Sequence, residues 1–364
     1  MNIIKSLKTT LLAVALAMPG ILTTSCDDNI IFEDQGDCTV RYYLQFVYEM
    51  NMKNADAFPA EVESVNLYAF DENGLFVKEF QESGDVLDKP GYLMELDLQP
   101  GQYTFVGWCG LVNEDGVRSF TVPDMVPGQT TIDELTCTLN AEKTRAAGDV
   151  EYSDSKLHFM YHGMIEAFLP DLGEGYQLNY YYTMPLIKDT NHIRVMLQEL
   201  NSTKDMEVRD YDFSIEIVDG LLLYNNAVSP ESPSIIYDPW EKQSNYIGVG
   251  NINPDDSTIK YHKGIIADFM TSRLMADQQN TSFLTITDTN TGKVIAKVPY
   301  IQYPLMSLEY FRSTYPWARN MTEQELLDRM DEYEMTFFLE QGQWVSVQID
   351  ILSWRVVIHN YELD

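Results

Sequence analysis

Residues 42–48, Tyr42-Tyr43-Leu44-Gln45-Phe46-Val47-Tyr48, decide the fold class of this chain. Every second residue of the stretch, starting at Tyr42, is apolar, so an extended strand would present one apolar face. The same period of two recurs at 65–69, at 92–98 and, near the C-terminus, at 345–351. Alternation of this kind is typical of half-buried β-strands, because successive side chains of a strand point to opposite faces. We therefore predict an all-β protein.

Turn signals separate these short strands. Residues 71–74 contain the Asn-Gly pair that suits a tight hairpin turn, and 288–292 have a similar composition. Closely spaced turns between short β-rich segments favour β-sandwiches. We expect an N-terminal sandwich over 38–140, a linker over 141–156 and a C-terminal sandwich over 157–364. Its strand candidates are 157–165, 180–184, 192–200, 213–218, 259–267, 283–287 and 294–300.

One region departs from the strand pattern. Thr322, followed three positions later by Glu325, forms a capping-box pattern, and the apolar residues after it have helical spacing. This predicts a short helix over 322–331. Residues 305–314 are a second candidate, which would end before Pro316. We expect one or two short helices in the C-terminal sandwich.

Residues 1–25 have the three parts of a secretory signal peptide. Lys5 and Lys8 precede a short apolar segment at 11–22, and spanning a bilayer needs roughly 20 apolar residues. Cys26 follows at the cleavage point, as in bacterial lipoproteins, although Ser25 departs from the usual Ala or Gly. We predict lipidation of Cys26 and a polar tether over 26–37. The alternative is an ordinary exported protein with an incidental cysteine.

The body of the protein is strongly acidic. Removing 25 of the 364 residues leaves 339, enough for two substantial cores. The removed segment contains two of the 24 basic residues, so 22 remain against 56 acidic ones, a balance of −34. Such a surface repels phosphate backbones and anionic lipid headgroups, so we expect no nucleic-acid partner. Membrane attachment would then depend on the acyl chains of Cys26.

Signals for catalysis or metal binding are weak. Cys38, Cys109 and Cys137 allow at most one disulfide, which sequence alone neither pairs nor requires, and their spacing fits no metal pattern. His158 and His162 are four residues apart, but they lie in a β-rich segment without an adjacent glutamate. The sequence contains no nucleophile elbow, phosphate-binding loop or dinucleotide fingerprint. We expect no cofactor, no bound metal and no enzymatic activity.

Four segments carry a resemblance to a known family, namely 38–48, 65–74, 327–339 and 349–357. Together, and in order, they resemble the FimB-like fimbrial anchor family of Bacteroidota, whose members belong to type V pilus systems. The resemblance implies two tandem transthyretin-like β-sandwiches. It also implies a lipoprotein that holds the base of a fimbria at the outer membrane.

The partners implied by this resemblance are fimbrial shaft or accessory subunits, bound by strand donation or augmentation, and outer-membrane lipid through acylated Cys26. The C-terminal strands, over 344–363, become candidates for the edge that faces these subunits. The alternative for these strands is that they only complete their own sandwich.

Two further expectations concern the cell surface. Asp27 and Asp28 look like the acidic run that marks Bacteroidota lipoproteins for surface exposure. A competing function is a surface carbohydrate-binding lipoprotein of a polysaccharide uptake system, because 23 tyrosines and 5 tryptophans could provide a sugar-stacking platform. A row of exposed aromatic side chains on one sheet face would favour carbohydrate binding, whereas an open sheet edge would favour the fimbria.

Overall fold

A computed structural model of the chain describes residues 40–113, 116–143, 150–171, 178–202, 204–250, 260–351 and 354–359. The chain forms two compact units. The first comprises 1–41 and 172–180, and in its described part the Arg41 N–H donates to the Leu178 carbonyl at 2.7 Å. The second comprises 42–171 and 181–364 and contains the features analysed below.

The described secondary structure is mostly strand, which confirms the all-β prediction. The strands are β1 (Arg41–Val47), β2 (Ser64–Asp71), β3 (Phe76–Ser83), β4 (Met94–Leu96), β5 (Gly101–Cys109), β6 (Phe120–Thr121), β7 (Thr136–Leu139), β8 (Glu142–Lys143), β9 (Glu151–Ser153), β10 (Tyr161–Leu169), β11 (Asn179–Pro185), β12 (Ile187–Lys188), β13 (Asn191–Glu199), β14 (Tyr211–Val218), β15 (Leu221–Leu223), β16 (Ser234–Tyr237), β17 (Glu241–Gly250), β18 (Lys260–Thr271), β19 (Phe283–Asp288), β20 (Lys293–Pro299), β21 (Glu332–Glu340), β22 (Gln343–Ile351) and β23 (Trp354–His359). The α-helices are α1 (Phe58–Glu61), α2 (Gln302–Leu305), α3 (Leu308–Thr314) and α4 (Glu323–Arg329). Single 3₁₀ turns occur at Ile132–Glu134, Val208–Asp210, Ala276–Gln278 and Pro316–Ala318.

The first sandwich packs a three-stranded sheet, in the order β11-β1-β4, against a five-stranded sheet, in the order β12-β10-β5-β2-β3. Their contact is close at Gly107 of β5. A methyl group added there would lie 2.9 Å from Met184 of β11 and 3.7 Å from Phe46 of β1. The absence of a side chain at Gly107 therefore allows the two sheets to approach.

The second sandwich contains two six-stranded sheets, in the orders β17-β18-β13-β21-β22-β23 and β20-β19-β14-β16-β9-β8. Strand pairs β13–β21 and β16–β9 are parallel, whereas the remaining neighbours are antiparallel. Inward-facing residues such as Ile215, Phe269 and Met335 are fully or almost fully buried in one hydrophobic core.

The two sandwiches are interlaced, and their strand pairing differs from the predicted boundaries at 140 and 157. The predicted linker supplies β8 and β9 to the second sandwich, where Tyr152 lies opposite Ile236. The chain then returns to the first sandwich. There β10 pairs with β5 along its whole length, from Tyr161 opposite Cys109 to Leu169 opposite Gly101. Since β8 and β9 are short, the polar composition of 141–156 concealed their pairing.

Strand β2 is buried on both faces, which its alternation did not predict. Val65 and Leu67 face the three-stranded sheet, but Tyr68 and Phe70 on the opposite face are also buried. A third sheet, in the order β15-β7-β6, contributes Cys137 and Leu222 to the same core as Tyr68 and Phe70. This small sheet therefore links the cores of the two sandwiches.

The predicted turn and helices are confirmed. Gly74 adopts a positive φ of 73° in the β2–β3 hairpin, a conformation that glycine adopts at low cost. Helix α4 begins after Thr322, whose Oγ1 accepts a hydrogen bond from the Glu325 N–H at 3.0 Å. In the other predicted region α2 and α3 form, and α3 ends at Thr314, before Pro316.

Candidate functional site

The predicted site residues at the N-terminus, Cys26, Asp27 and Asp28, lie outside the described residues, as does Cys38. Cys109 and Cys137 are buried free thiols, so these two cysteines do not pair with each other. Burial raises the pKa of both thiols. In the described part of the chain, no helix is both long and apolar enough to cross a membrane.

The two histidines of the segment 157–165 have protein partners. The His162 ring packs against Trp108 at an interplanar angle of 59°, with 4.6 Å between ring centroids, and its Nε2 lies 2.8 Å from the Tyr224 carbonyl oxygen. Burial lowers the pKa of His162 to about 4, so the ring is neutral at pH 7. The Nδ1 atom of His158 lies 3.2 Å from Ser119 Oγ. Among the described residues, no group of three or more potential ligands could hold a metal ion.

The C-terminal strand β23 lies at an edge of its sheet. It pairs with β22 through six consecutive residues, from Ile351 opposite Trp354 to Ser346 opposite His359, without a register shift. On its other side no described strand pairs with it. The sequence Trp-Arg-Val-Val-Ile-His is rich in residues that favour strands and contains no proline or glycine.

The other long edge strands carry features that oppose pairing with a further strand. Edge strand β20 contains Lys293 and Lys297 and ends in Pro299, and β11 ends in Pro185. Strand β3 has charged residues at 78, 79 and 82. In β17 a bulge between Tyr246 and Gly248 interrupts the register. In the described part of the chain, β23 is thus the least protected of the long edge strands, because it has one charged residue, Arg355, and neither a proline nor a bulge.

Strand β10 runs through the first sandwich from its contact with the second sandwich to its opposite end. One end of β10 lies at the second sandwich, because Tyr161 pairs with Lys188, whose Nζ reaches Asp331 at 2.7 Å. The opposite end of β10 lies beside the start of β1, where the Tyr42 hydroxyl donates to the Pro170 carbonyl at 2.6 Å. Strand β1 therefore starts at the end of the first sandwich that is far from the contact between the sandwiches.

In the second sandwich, the pairing of β21, β22 and β23 fixes the direction of β23. Asp331, at that contact, immediately precedes β21, whose Glu334 pairs with Asp350, and Asp350 pairs in turn with Arg355. Strand β23 consequently starts near the contact and runs away from it, towards His359.

A polar cluster, which we call the junction, holds the sandwiches together. It comprises Glu61, Lys188, Asp189, Asn226, Arg273, Asp328 and Asp331. Although its side chain is only 4% exposed, Lys188 bridges Glu61 of the first sandwich at 3.1 Å and Asp331 of the second at 2.7 Å. Arg273 donates to both carboxylate oxygens of Asp328, at distances of 2.8 to 3.0 Å. Breaking such buried pairs is costly, because the partner's charge would remain buried without compensation.

Among the described residues, the exposed aromatic side chains are spread over several elements and do not form a row on one sheet face. Tyr43 and Tyr181 stack with 5.4 Å between their ring centroids, and Tyr181 is 61% exposed. Of the other exposed aromatic residues among those described, Phe168 lies on β10, in the other sheet of the first sandwich, and Phe159 lies just before β10. Tyr246 lies on β17 and Trp317 in the 3₁₀ turn Pro316–Ala318. The stacked tyrosine pair is shorter than the platform expected for carbohydrate binding.

The described chain is thus built from two interlaced β-sandwiches with a regular C-terminal edge strand, the architecture of a β-rich structural protein. The family model of fimbrillin-A associated anchor proteins Mfa1 and Mfa2 matches residues 34–360, and this chain belongs to that family. The family comprises structural fimbrial proteins, which confirms the predictions of fimbrial association and of a non-enzymatic role.

Individual relatives agree with this assignment. The minor fimbrium anchoring subunit Mfa2 of Porphyromonas gingivalis is 22% identical over 361 residues, which cover 96% of each chain. A putative adhesin from Bacteroides thetaiotaomicron is 28% identical, with a TM-score of 0.72 over 89% of this chain and 99% of that chain. The solved fimbrial anchor protein Mfa2 from P. gingivalis is 17% identical, with a TM-score of 0.62 over 89% of this chain and 100% of its own, and shows the same fold.

Sequence reasoning missed the junction. Lys188 and Asp189 form a charged pair that directly follows the apolar residues Leu186 and Ile187, and Arg273 follows the apolar strand β18. Charges that interrupt apolar segments were therefore a usable signal. Their partners, Glu61, Asp328 and Asp331, are distant in sequence, and only the fold brings them together.

Proposed function

We propose that this protein is a surface-exposed outer-membrane lipoprotein that anchors or caps a type V fimbria. In this proposal residues 1–25 direct export, Cys26 is acylated, and Asp27 and Asp28 direct the protein to the cell surface. Residues 26–37 then act as the tether. Fimbrial shaft or accessory subunits bind at the C-terminal edge by strand donation or augmentation.

The observation that carries the proposal is the position of β23. An anchor needs its membrane attachment and its fimbrial contact at separate places. This requirement fits a β1 that starts in the first sandwich, far from the contact between the sandwiches, and a β23 that lies at an edge of the second sandwich. An added strand could pair with the open side of β23, or β23 could leave β22 and pair with a neighbouring subunit. Both modes use main-chain hydrogen bonds, each contributing about 0.5–1.5 kcal/mol net.

Deleting residues 354–364 tests the fimbrial contact. We expect shaft fibres to appear in the medium while the truncated lipoprotein stays on the cells. Unchanged resistance of the truncated protein to protease would show that the remaining strands still fold. If the fibres stay attached to cells carrying the truncated protein, the C-terminal edge is not the fimbrial contact.

The membrane attachment requires a separate test. Cys26→Ala should abolish incorporation of labelled fatty acid and release the protein from the membrane fraction. Asp27→Ala combined with Asp28→Ala should leave lipidation intact but reduce digestion by protease added outside the cell. Full digestion of this double variant would remove the basis for the surface-export role.

A further inference from the structure

Asp189 lies at the point where the chain crosses from β12 to β13, between the sandwiches, and is completely buried. Its N–H donates to the Met160 carbonyl at 2.7 Å, which fixes the backbone. Its Oδ1 accepts a hydrogen bond from Asn226 Nδ2 at 2.8 Å. Its Oδ2 is buried and has no hydrogen-bond partner. A buried carboxylate with an unsatisfied oxygen is expensive unless something else compensates it.

Among the described residues, the cation that faces Asp189 is Arg273, and its hydrogen bonds go mainly to other groups. Its guanidinium forms the bidentate ion pair with Asp328 described above and also donates to the Asn226 carbonyl. Its Nε lies 3.7 Å from Asp189 Oδ1, beyond hydrogen-bond distance. One guanidinium thus faces two buried carboxyl groups, and its hydrogen bonds go to the carboxylate of Asp328. The charge of an ionised Asp189 would be poorly compensated.

Asn226 has the complementary defect. Its Nδ2 donates to Asp189, but its Oδ1 is buried without a partner. The two unsatisfied atoms therefore belong to the same carboxyl–amide pair, and both are acceptors when Asp189 is ionised. A single proton on Asp189 Oδ2 would turn one acceptor into a donor. The carboxylic acid and the amide would then form two hydrogen bonds. Asn226 Nδ2 donates to Asp189 Oδ1, and the protonated Asp189 Oδ2 would donate to Asn226 Oδ1.

We propose that Asp189 carries a proton that it shares with Asn226, and that this acid–amide pair locks the turn 224–227 into the junction between the sandwiches. Asn226 is held at a positive φ of 66° in this turn, and it is only 3% exposed. Loss of the proton leaves a buried charge and two unsatisfied acceptors, so the turn loosens and the two sandwiches gain freedom relative to each other.

The surrounding groups favour the protonated form. Burial raises the pKa of Asp189 to about 7, and the charge of Asp328 acts in the same direction, while Arg273 and the Asn226 amide oppose them. The other titratable groups that face Asp189 are Cys109 of β5, Cys137 of β7 and Tyr48 after β1. Burial raises the pKa of each, so they stay neutral and supply no compensating charge.

Infrared spectroscopy of the full mature protein tests the proposal directly. A protonated carboxyl group gives a carbonyl band that an ionised one lacks. We expect a component of this band at pH 6 that is lost at alkaline pH and is missing at both pH values in Asp189→Asn. The buried carboxyl group of Asp219, whose pKa is also raised by burial, adds a component that the wild type and the variant share. The matched control is Asp331→Asn, which changes a carboxylate of the same junction and must leave the band in place.

The pH dependence of unfolding gives a second readout. Because the folded state would retain a proton that the unfolded state releases, the wild-type unfolding constant should rise, relative to that of Asp189→Asn, by up to about tenfold per pH unit between pH 5 and 7. Identical pH profiles, or identical carbonyl bands of the wild type and Asp189→Asn at pH 6, would overturn the proposal. If that variant does not fold, Asn226→Gly, which retains the left-handed backbone, should shift the wild-type band; no shift would also overturn it.

Discussion

The junction and the C-terminal edge strand β23 differ in how they place polar groups. The junction buries charged side chains against each other, whereas β23 leaves one row of main-chain groups without a described partner strand. At the junction, the side chains of Lys188, Arg273 and Asp328 are almost completely buried and form ion pairs, two of them to the partly exposed carboxylates of Glu61 and Asp331. At β23 the main chain is paired on one side only among the described residues. We therefore expect the junction to contribute most to stability, whereas β23 is the place where a further strand can pair. Substitutions should separate these roles.

The largest effect on stability is expected from Arg273→Gln. Removing the guanidinium leaves Asp328 buried without its charged partner, which should lower the free energy of unfolding by about 3–5 kcal/mol. Urea denaturation of the mature protein measures this change. Arg209→Gln is the matched control, because the Arg209 side chain is 85% exposed, and should change stability by less than about 0.5 kcal/mol. Equal effects of the two substitutions would contradict the role of the junction.

A somewhat smaller effect is expected from the protonation of His162. Since its pKa is about 4 in the folded protein and about 6.5 when exposed, the unfolded state binds a proton over this interval and the folded state does not. Stability due to this group is therefore complete above pH 6.5 and falls as the pH drops towards 4, by up to about 3 kcal/mol. His162→Gln should remove this part of the slope in urea titrations between pH 4.5 and 7. A variant with the wild-type slope would show that His162 does not titrate in this way.

The smallest effect concerns the cap of α4. Thr322→Ala removes the acceptor for the Glu325 N–H and should cost about 1 kcal/mol. Thr322→Ser retains the hydroxyl group and should cost less than half of that. Because α4 carries Asp328, a cost of 3 kcal/mol or more in Thr322→Ala would mean that the helix end and the junction unfold together.

The sequence predicted the elements whose signals are local. Alternation located β1, β2 and β22, the Asn-Gly pair located the β2–β3 turn, and the Thr322–Glu325 pattern located α4. It did not predict that β10 returns to the first sandwich, because strand pairing depends on partners about 60 residues apart. Nor did it predict that β2 is buried on both faces, since the covering sheet comes from β7 and β15.

The candidate site divides in the same way. The C-terminal strands were located from their alternation and the family resemblance, and the structure places β23 at a sheet edge. The junction residues lay outside any sequence motif, because a buried charge is recognised only from its surroundings. Cys26, Asp27 and Asp28 stay predictions that rest on the signal-peptide pattern and on the resemblance.

The central claim is that a fimbrial subunit contacts this protein along β23 and not along the other edge of the same sheet. Photo-crosslinking in fimbriated cells tests it, with a photoreactive amino acid placed at Val356 in β23 or, as the matched control, at Ser244 in β17. We expect a crosslink to a fimbrial subunit from position 356 and none from position 244. A crosslink from position 244 alone, or none from position 356 in cells with intact fimbriae, would contradict it.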